Sequence, residues 1–446
     1  MATPDVMSNE PAVEAEKAPR HGRHRVRTVA IRLLTIAVAV VATFGVVEVA
    51  FRILGYRPIY EEYTDPARFY VADTMAGWSY RPGATGEFIG PRPYPITYRS
   101  YVRVNSLGLR GPELTAVPPG GVRVVVLGDS WTSGLEVNEN ESYSAVAAGL
   151  LSQRLGVPVQ VVNAGVRGYG TDQAWLFYRE RLEQLHPDLV LYYYTGIAGR
   201  NVTLHQMRRV FAKPAFVLGP DNTLHLIGQP PPDYPRCSEY RVVDGAPRRI
   251  DGARHDAICW LQMNLADHSA FFSFVVGRLQ QNPALVDTLY HLGIYDDKGQ
   301  NPPIAEFHPP LAPPAEPPAP TTGIPAAAEP SPMAAAPPVL LPPMDDAHRL
   351  TSALISRMAD DVRSDGARFM LMGEDADLNQ LDVAAFEQGG IPVTRVDPAF
   401  GPDSDTLFVP HDGHPNAVGH RRIGELLADQ TEPLLRQALQ EGRASR

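Results

Sequence analysis

Short unbroken apolar runs alternate with amphipathic stretches in two separate parts of this chain. VRVVVLGD starts at Val122 and ends on glycine and aspartate, the pattern of a strand covered on both faces. An amphipathic stretch over 143–155 follows, then VPVQVVN at 157–163, a helical pattern near 172–185 and DLVLYYY at 188–194. Strand, helix, strand, helix, strand at this spacing predicts a parallel sheet with helices on both sides. The alternation stops near residue 205 and returns near Ala347 with a helix to about Ser364, a strand at 367–373 and a helix near 376–388. A short strand at PVTRV and a last helix from about Asn416 to Leu439 complete it. The expected organisation is one α/β domain in two parts, 121–205 and 346–446, separated by an insertion at 206–345.

A different pattern opens the chain. Val29 to Phe51 is almost wholly apolar, long enough to cross the ~30 Å hydrocarbon core as a helix. Its charges, Arg32 and Glu48, lie near the ends, and Glu48 and Arg52 are one helical turn apart and can pair. No small-x-small cleavage site follows, which favours a retained anchor over 29–52 rather than a signal peptide or a core helix. Arg20, Arg23, Arg25 and Arg27 precede it, so the positive-inside rule leaves 1–28 as a cytoplasmic tail and everything after the span outside. Residues 53–120, with brief alternating runs around Ile96 and Tyr101, read as a stem of short strands. Within the insertion, residues 302–343 hold 16 prolines, a composition that opposes both ladder and helix and predicts an extended linker.

Composition narrows the function. The chain has 446 residues and a formal net charge of −10, which argues against nucleic acid as partner. Lys17, Lys213 and Lys298 are its lysines, arginine supplying the other basic groups. Two cysteines cannot build a zinc cluster or a disulfide scaffold, although Cys237 and Cys259, placed outside the membrane, are close enough in sequence to bridge.

Three segments carry candidate chemistry. The first predicted strand delivers Gly128-Asp129-Ser130, and a serine at the carboxyl end of a parallel strand stands where open α/β sheets place their ligands. The plainer reading is a turn whose serine caps a helix. The second strand ends in NAGVRGYGTDQ, whose glycines let backbone amides approach a ligand, and the Gly165 amide is the candidate oxyanion donor. VPHDGHPNAVGH, at 409–420, offers Asp412 and His414 from one loop, a base and the carboxylate that would fix its tautomer. His411, Asp412, His414 and His420 could alternatively ligate a metal.

In this order the three segments resemble the GDSL, or SGNH, hydrolases, serine esterases and acyl transferases on a three-layer α/β/α, flavodoxin-like fold. The resemblance covers about 122–205 and 346–440, and the approach segment NSLGLRGPE at 105–113 is similar to membrane-anchored bacterial members. It implies Ser130 as nucleophile, Asp412 and His414 as the rest of the triad, and the Ser130 and Gly165 amides in the oxyanion hole. The family's third block, Gly-x-Asn-Asp, is here TGIAGRNV; the resemblance assigns its side-chain donor to Asn201, whereas a register shifted by one puts Arg200 there. The Asp-x-His spacing is also shorter than the commoner Asp-x-x-His. The implied activity is a membrane-anchored, extracytoplasmic serine esterase acting on an ester-linked acyl group, acetyl foremost, without metal or organic cofactor. An O-acyltransferase on an envelope or exported glycan, and a non-catalytic glycan-binding scaffold, are the competing readings.

Overall fold

The computed structural model describes residues 21–56, 58, 69–90, 97–206, 211–219, 221–232, 240–243, 245–249, 264–265, 268–280, 284, 288, 344–401, 404–410 and 412–442. Cys237, Cys259, His411 and the proline-rich 302–343 lie outside these residues.

Residues up to Tyr56 form one unit, dominated by helix α1 (His21–Ile53). Its stretch Arg27–Ile53 is long and apolar enough to cross a membrane, a property shared by membrane spans and signal sequences. Val29, Leu33, Val41 and Val46 are all exposed, so apolar side chains project in every direction. Thr35 and Thr43 return their hydroxyls to the carbonyls of Ile31 and Ala39, which hides them from an apolar surround. Glu48 and Arg52 pair at 2.7 Å.

The second unit begins with two antiparallel pairs, β1 (Tyr70–Asp73) with β2 (Gly77–Tyr80) and β3 (Thr85–Gly90) with β4 (Tyr98–Arg103). Then come β5 (Val122–Gly128), α2 (Ser130–Ser133), α3 (Tyr143–Leu155), β6 (Val159–Gly165), α4 (Thr171–Phe177), β7 (Leu189–Tyr194) and α5 (Ala198–Asn201). Short pairs β8 (His205–Gln206) with β9 (Phe211–Ala212), β10 (Ala215–Leu218) with β11 (Leu224–Ile227), and β12 (Tyr240–Val243) with β13 (Ala246–Arg249) follow, then α6 (Ala270–Gln280). The α/β pattern resumes with α7 (Met344–Ser364), β14 (Arg368–Gly373), α8 (Asp375–Leu378), α9 (Val383–Gln388), β15 (Val393–Arg395), α10 (Asp397–Phe400) and α11 (Ala417–Gln440).

Five of these strands form one parallel sheet in the order β15-β14-β7-β5-β6. In chain order this is 2-1-3-4-5 read from β6, the flavodoxin-like arrangement, with its reversal between β5 and β7. β7 is apolar throughout, and β5 and β14 are so apart from Arg123 and Arg368, because both faces are covered. Leu189, Leu191 and Tyr193 of β7 join one cluster with Leu151 of α3 and Ile423 and Leu427 of α11. Val190, Tyr192 and Tyr194 join the other, with Leu354 and Met358 of α7. The three-layer α/β/α fold is thus the direct consequence of period-two strands between two amphipathic layers.

One expectation needs revision. The helix near 376–388 is two short helices, because Asp382 caps α9 afresh by accepting from the Ala385 N–H. The described part of the segment before β5 carries short strands and packs into the main core: Trp78 and Tyr80 are buried in the cluster that contains β7, and the Trp78 indole donates to the Arg167 carbonyl at 3.0 Å.

Candidate active site

Ser130 is the first residue of α2, directly beyond the carboxyl end of β5 and at the reversal point of the sheet. Asp129 caps this turn by accepting from the Trp131 N–H at 3.0 Å, and its second oxygen accepts from Thr195 at 3.0 Å and from Arg200 at 2.8 Å. Gly134 ends the turn in the left-handed region, at φ 57°. The turn is also held from outside. The buried Arg110 guanidinium donates to the carbonyls of Ser133, Gly134 and Val137. Asn105 folds the NSLGLRGPE segment into place for this, accepting from the Leu107 and Leu109 N–H groups.

The other part of the site lies between β15 and α11. Asn416 caps α11 by accepting from the Val418 and Gly419 N–H groups, and Val409 donates to the His414 carbonyl at 2.8 Å. Gly413, at φ 78°, permits the reversal that folds Asp412 back onto His414. His414 Nδ1 is hydrogen-bonded to Asp412 Oδ1, and His414 Nε2 lies 2.8 Å from Ser130 Oγ. Tyr98 of β4 donates to the other Asp412 oxygen at 3.3 Å. Burial tends to raise the Asp412 carboxyl, but the bond and charge of His414, with Arg167 and Tyr98, outweigh it and hold the carboxyl below its usual range. A hydroxyl, an imidazole and an ionised carboxylate in line can turn the hydroxyl into a nucleophile.

Ser130, His414 and Asp412 therefore converge, but the two other expected donors do not. Gly165 spends its N–H on Asn163 Oδ1 at 3.1 Å. What requires a glycine there is packing, since a Cβ would sit 2.4 Å from the Ser133 nitrogen. Asn201 is wholly buried, and its amide donates to Thr351 at 2.7 Å and to Thr171 at 3.3 Å. Its neighbour Arg200 instead reaches Asp129. Gly168, at φ 84° in the turn after β6, and Ser130 make no backbone N–H hydrogen bond among the described residues.

A side chain the sequence reading passed over also faces the imidazole. Glu136 is buried, ion-paired with Arg167, and places Oε1 3.7 Å from His414 Nδ1. The only sequence signal is its position between Leu135 and Val137, six residues after Ser130. Glu136, Asp412 and His414 bring possible ligand atoms within 4.8 Å of one another. The metal set suggested by the loop is not assembled among the described residues, because His420 points away: its Nδ1 accepts from the Tyr143 N–H at 3.3 Å and its ring stacks on Tyr143.

His420 makes stability pH-dependent. Burial, then the charges of Arg110 and His414, push it down from 6.5 to about 3. With the folded value below the unfolded one, its contribution is complete above about pH 6.5 and is lost as pH falls toward 3, by ~1.4 kcal/mol per unit. Melting temperatures at pH 7 and pH 5 should therefore differ more for the wild type than for His420→Gln, by the equivalent of roughly 2 kcal/mol. Equal differences in the two proteins would contradict this.

Residues 126–197, which include Ser130 and run through β7, match the GDSL-like lipase/acylhydrolase family. No curated protein matches the chain. Among solved structures, it is similar to an acetylxylan esterase from Geobacillus stearothermophilus, at 11% identity and TM-score 0.31, covering 69% of this chain and 93% of that one. It is also similar to LAE5, an α/β hydrolase enzyme from the metagenome of Lake Arreo, Spain, at 12% identity and TM-score 0.30, covering 72% and 98%.

Proposed function

We propose that this chain, an ester-hydrolysing enzyme of the SGNH type with a GDSL-like segment at 126–197, works through a Ser130–His414–Asp412 triad and an acyl-enzyme. The observation that carries the reading is the 2.8 Å contact between His414 Nε2 and Ser130 Oγ. His414 takes the Ser130 proton as Oγ attacks the ester carbonyl, and Asp412 holds the Nδ1–H and faces the imidazolium that forms. The proton then passes to the departing alcohol oxygen, the acyl group stays on Ser130, and water activated by His414 releases it as the acid.

The Ser130 N–H, at the start of α2, is the first oxyanion donor in this reading. The unbonded Gly168 N–H takes the part expected of Gly165, and Arg200, in place of Asn201, is the side-chain donor beside the nucleophile turn. The substrate is an ester-linked acyl group, with acetyl esters of glycans the first class to try. The apolar helix and the arginines before it support an anchored enzyme with its domain outside the membrane.

A fluorophosphonate probe tests the mechanism. The wild type should be labelled on Ser130, and Ser130→Ala should not be labelled while keeping its circular dichroism spectrum. Absence of label on a folded wild type would favour the non-catalytic scaffold. Product analysis with and without a polysaccharide acceptor separates hydrolysis from acyl transfer.

A further inference from the structure

We infer that Glu136 is a second carboxylate for His414, a positioning residue that shares with Asp412 the work of orienting the imidazole; this rests on the triad reading above. His414 Nδ1 faces two carboxylates. Asp412 is in direct hydrogen bond, and Oε1 of the buried Glu136 stands 3.7 Å from the same nitrogen. The Glu136 side chain has no exposed surface. One oxygen pairs with Arg167, and the other has no hydrogen-bond partner among the described residues.

Such a half-satisfied buried carboxylate is costly to keep and adds nothing that an apolar residue between Leu135 and Val137 would not add to packing. Its location gives it a use. When His414 takes up the Ser130 proton, the new positive charge lies between Asp412 and Glu136, with Arg167 balancing the surplus negative charge in the resting site. Arg167 is itself fixed, its N–H donating to the Tyr80 hydroxyl at 3.2 Å and its carbonyl accepting from Trp78 at 3.0 Å. Glu136 is therefore held where its charge faces the ring, and a shift of under about 1 Å would bring Oε1 within hydrogen-bond reach of the Nδ1–H when Asp412 is absent.

The test is a double-mutant cycle read by steady-state kinetics on a soluble acetyl ester. Glu136→Gln should lower kcat about 3- to 10-fold with KM within twofold, because the interaction strengthens only as the imidazolium forms. Asp412→Ala should keep a residual rate supported by Glu136, and Asp412→Ala/Glu136→Gln should lose at least a further ~30-fold, more than Glu136→Gln costs alone. Should Glu136→Gln leave kcat unchanged, or the double variant match Asp412→Ala, the inference is overturned. Glu136→Gln/Arg167→Met removes both buried charges together and keeps the kcat comparison open if the single variant loses structure. Failure of the triad reading would look different: no fluorophosphonate label on the wild type, whatever the Glu136 variants do.

Discussion

Alanine in place of His414 should lower kcat/KM for an activated ester by at least ~10⁴-fold, leaving a rate owed to binding and the oxyanion donors. The size follows from two contacts. Nε2 is the acceptor within reach of Ser130 Oγ, at 2.8 Å, and Nδ1 carries the bond to Asp412. Without the ring, Ser130 keeps a hydroxyl of ordinary acidity and Asp412 is too far along the chain of contacts to replace it. The fold should survive, because the loop is pinned by backbone bonds and by the Asn416 cap rather than by the imidazole. Progress curves on p-nitrophenyl acetate beside thermal melts decide it. A loss below about 10-fold with an unchanged melt would remove His414 from the chemistry.

Lys213→Met should destabilise the protein by ~3–5 kcal/mol, the usual cost of stranding one member of a buried ion pair. Lys213 and Asp172 both have no exposed side-chain surface, and the ammonium also donates to the Arg200 carbonyl at 2.6 Å. Burial raises the Asp172 carboxyl and lowers the Lys213 ammonium, with each charge opposing the shift of the other. Removing the lysine alone leaves the carboxylate to be neutralised or hydrated in a closed site. Replacing both, as Asp172→Asn/Lys213→Met, should recover most of the loss, and urea unfolding midpoints of the three proteins measure it. Because Arg200 links this pair to Asp129, the single variant should also slow labelling of Ser130. A double variant no more stable than Lys213→Met would show that the pair does not act as a unit.

What could be read from the residues was the part fixed by local pattern. The strands at 122, 189 and 368 are apolar apart from Arg123 and Arg368 near their starts, so both their existence and their burial follow from the run itself. The Asp412–His414 pair is separated by one glycine, and the turn that joins them needs little else. The oxyanion side was harder because it depends on the orientation of single residues at helix ends. In TGIAGRNV one residue of register decides whether Arg200 or Asn201 turns inward, and the hydroxyls of Thr171 and Thr351 that draw Asn201 in come from distant segments. Gly165 was named for its conformational freedom, yet it is required by the contact with α2. Glu136 and Tyr98 have no chemical motif around them, and the NSLGLRGPE segment marks Arg110 without saying what it holds. Each acquires its role through a partner far along the chain, and a charged residue amid apolar neighbours carries no mark of which partner that is.

The order of the sheet also governs how the enzyme must be made. β7 sits between β5 and β14, and every one of its residues is buried. Its partner β14 starts only at Arg368, so on the ribosome LVLYYY emerges with one edge and part of one face unsatisfied while well over a hundred further residues are synthesised. During that interval the nascent chain presents an adhesive, charge-free ribbon, the species most prone to join another copy of itself. Completion of the sheet thus waits on β14, and chains truncated before Arg368 are expected to aggregate where the full chain stays soluble.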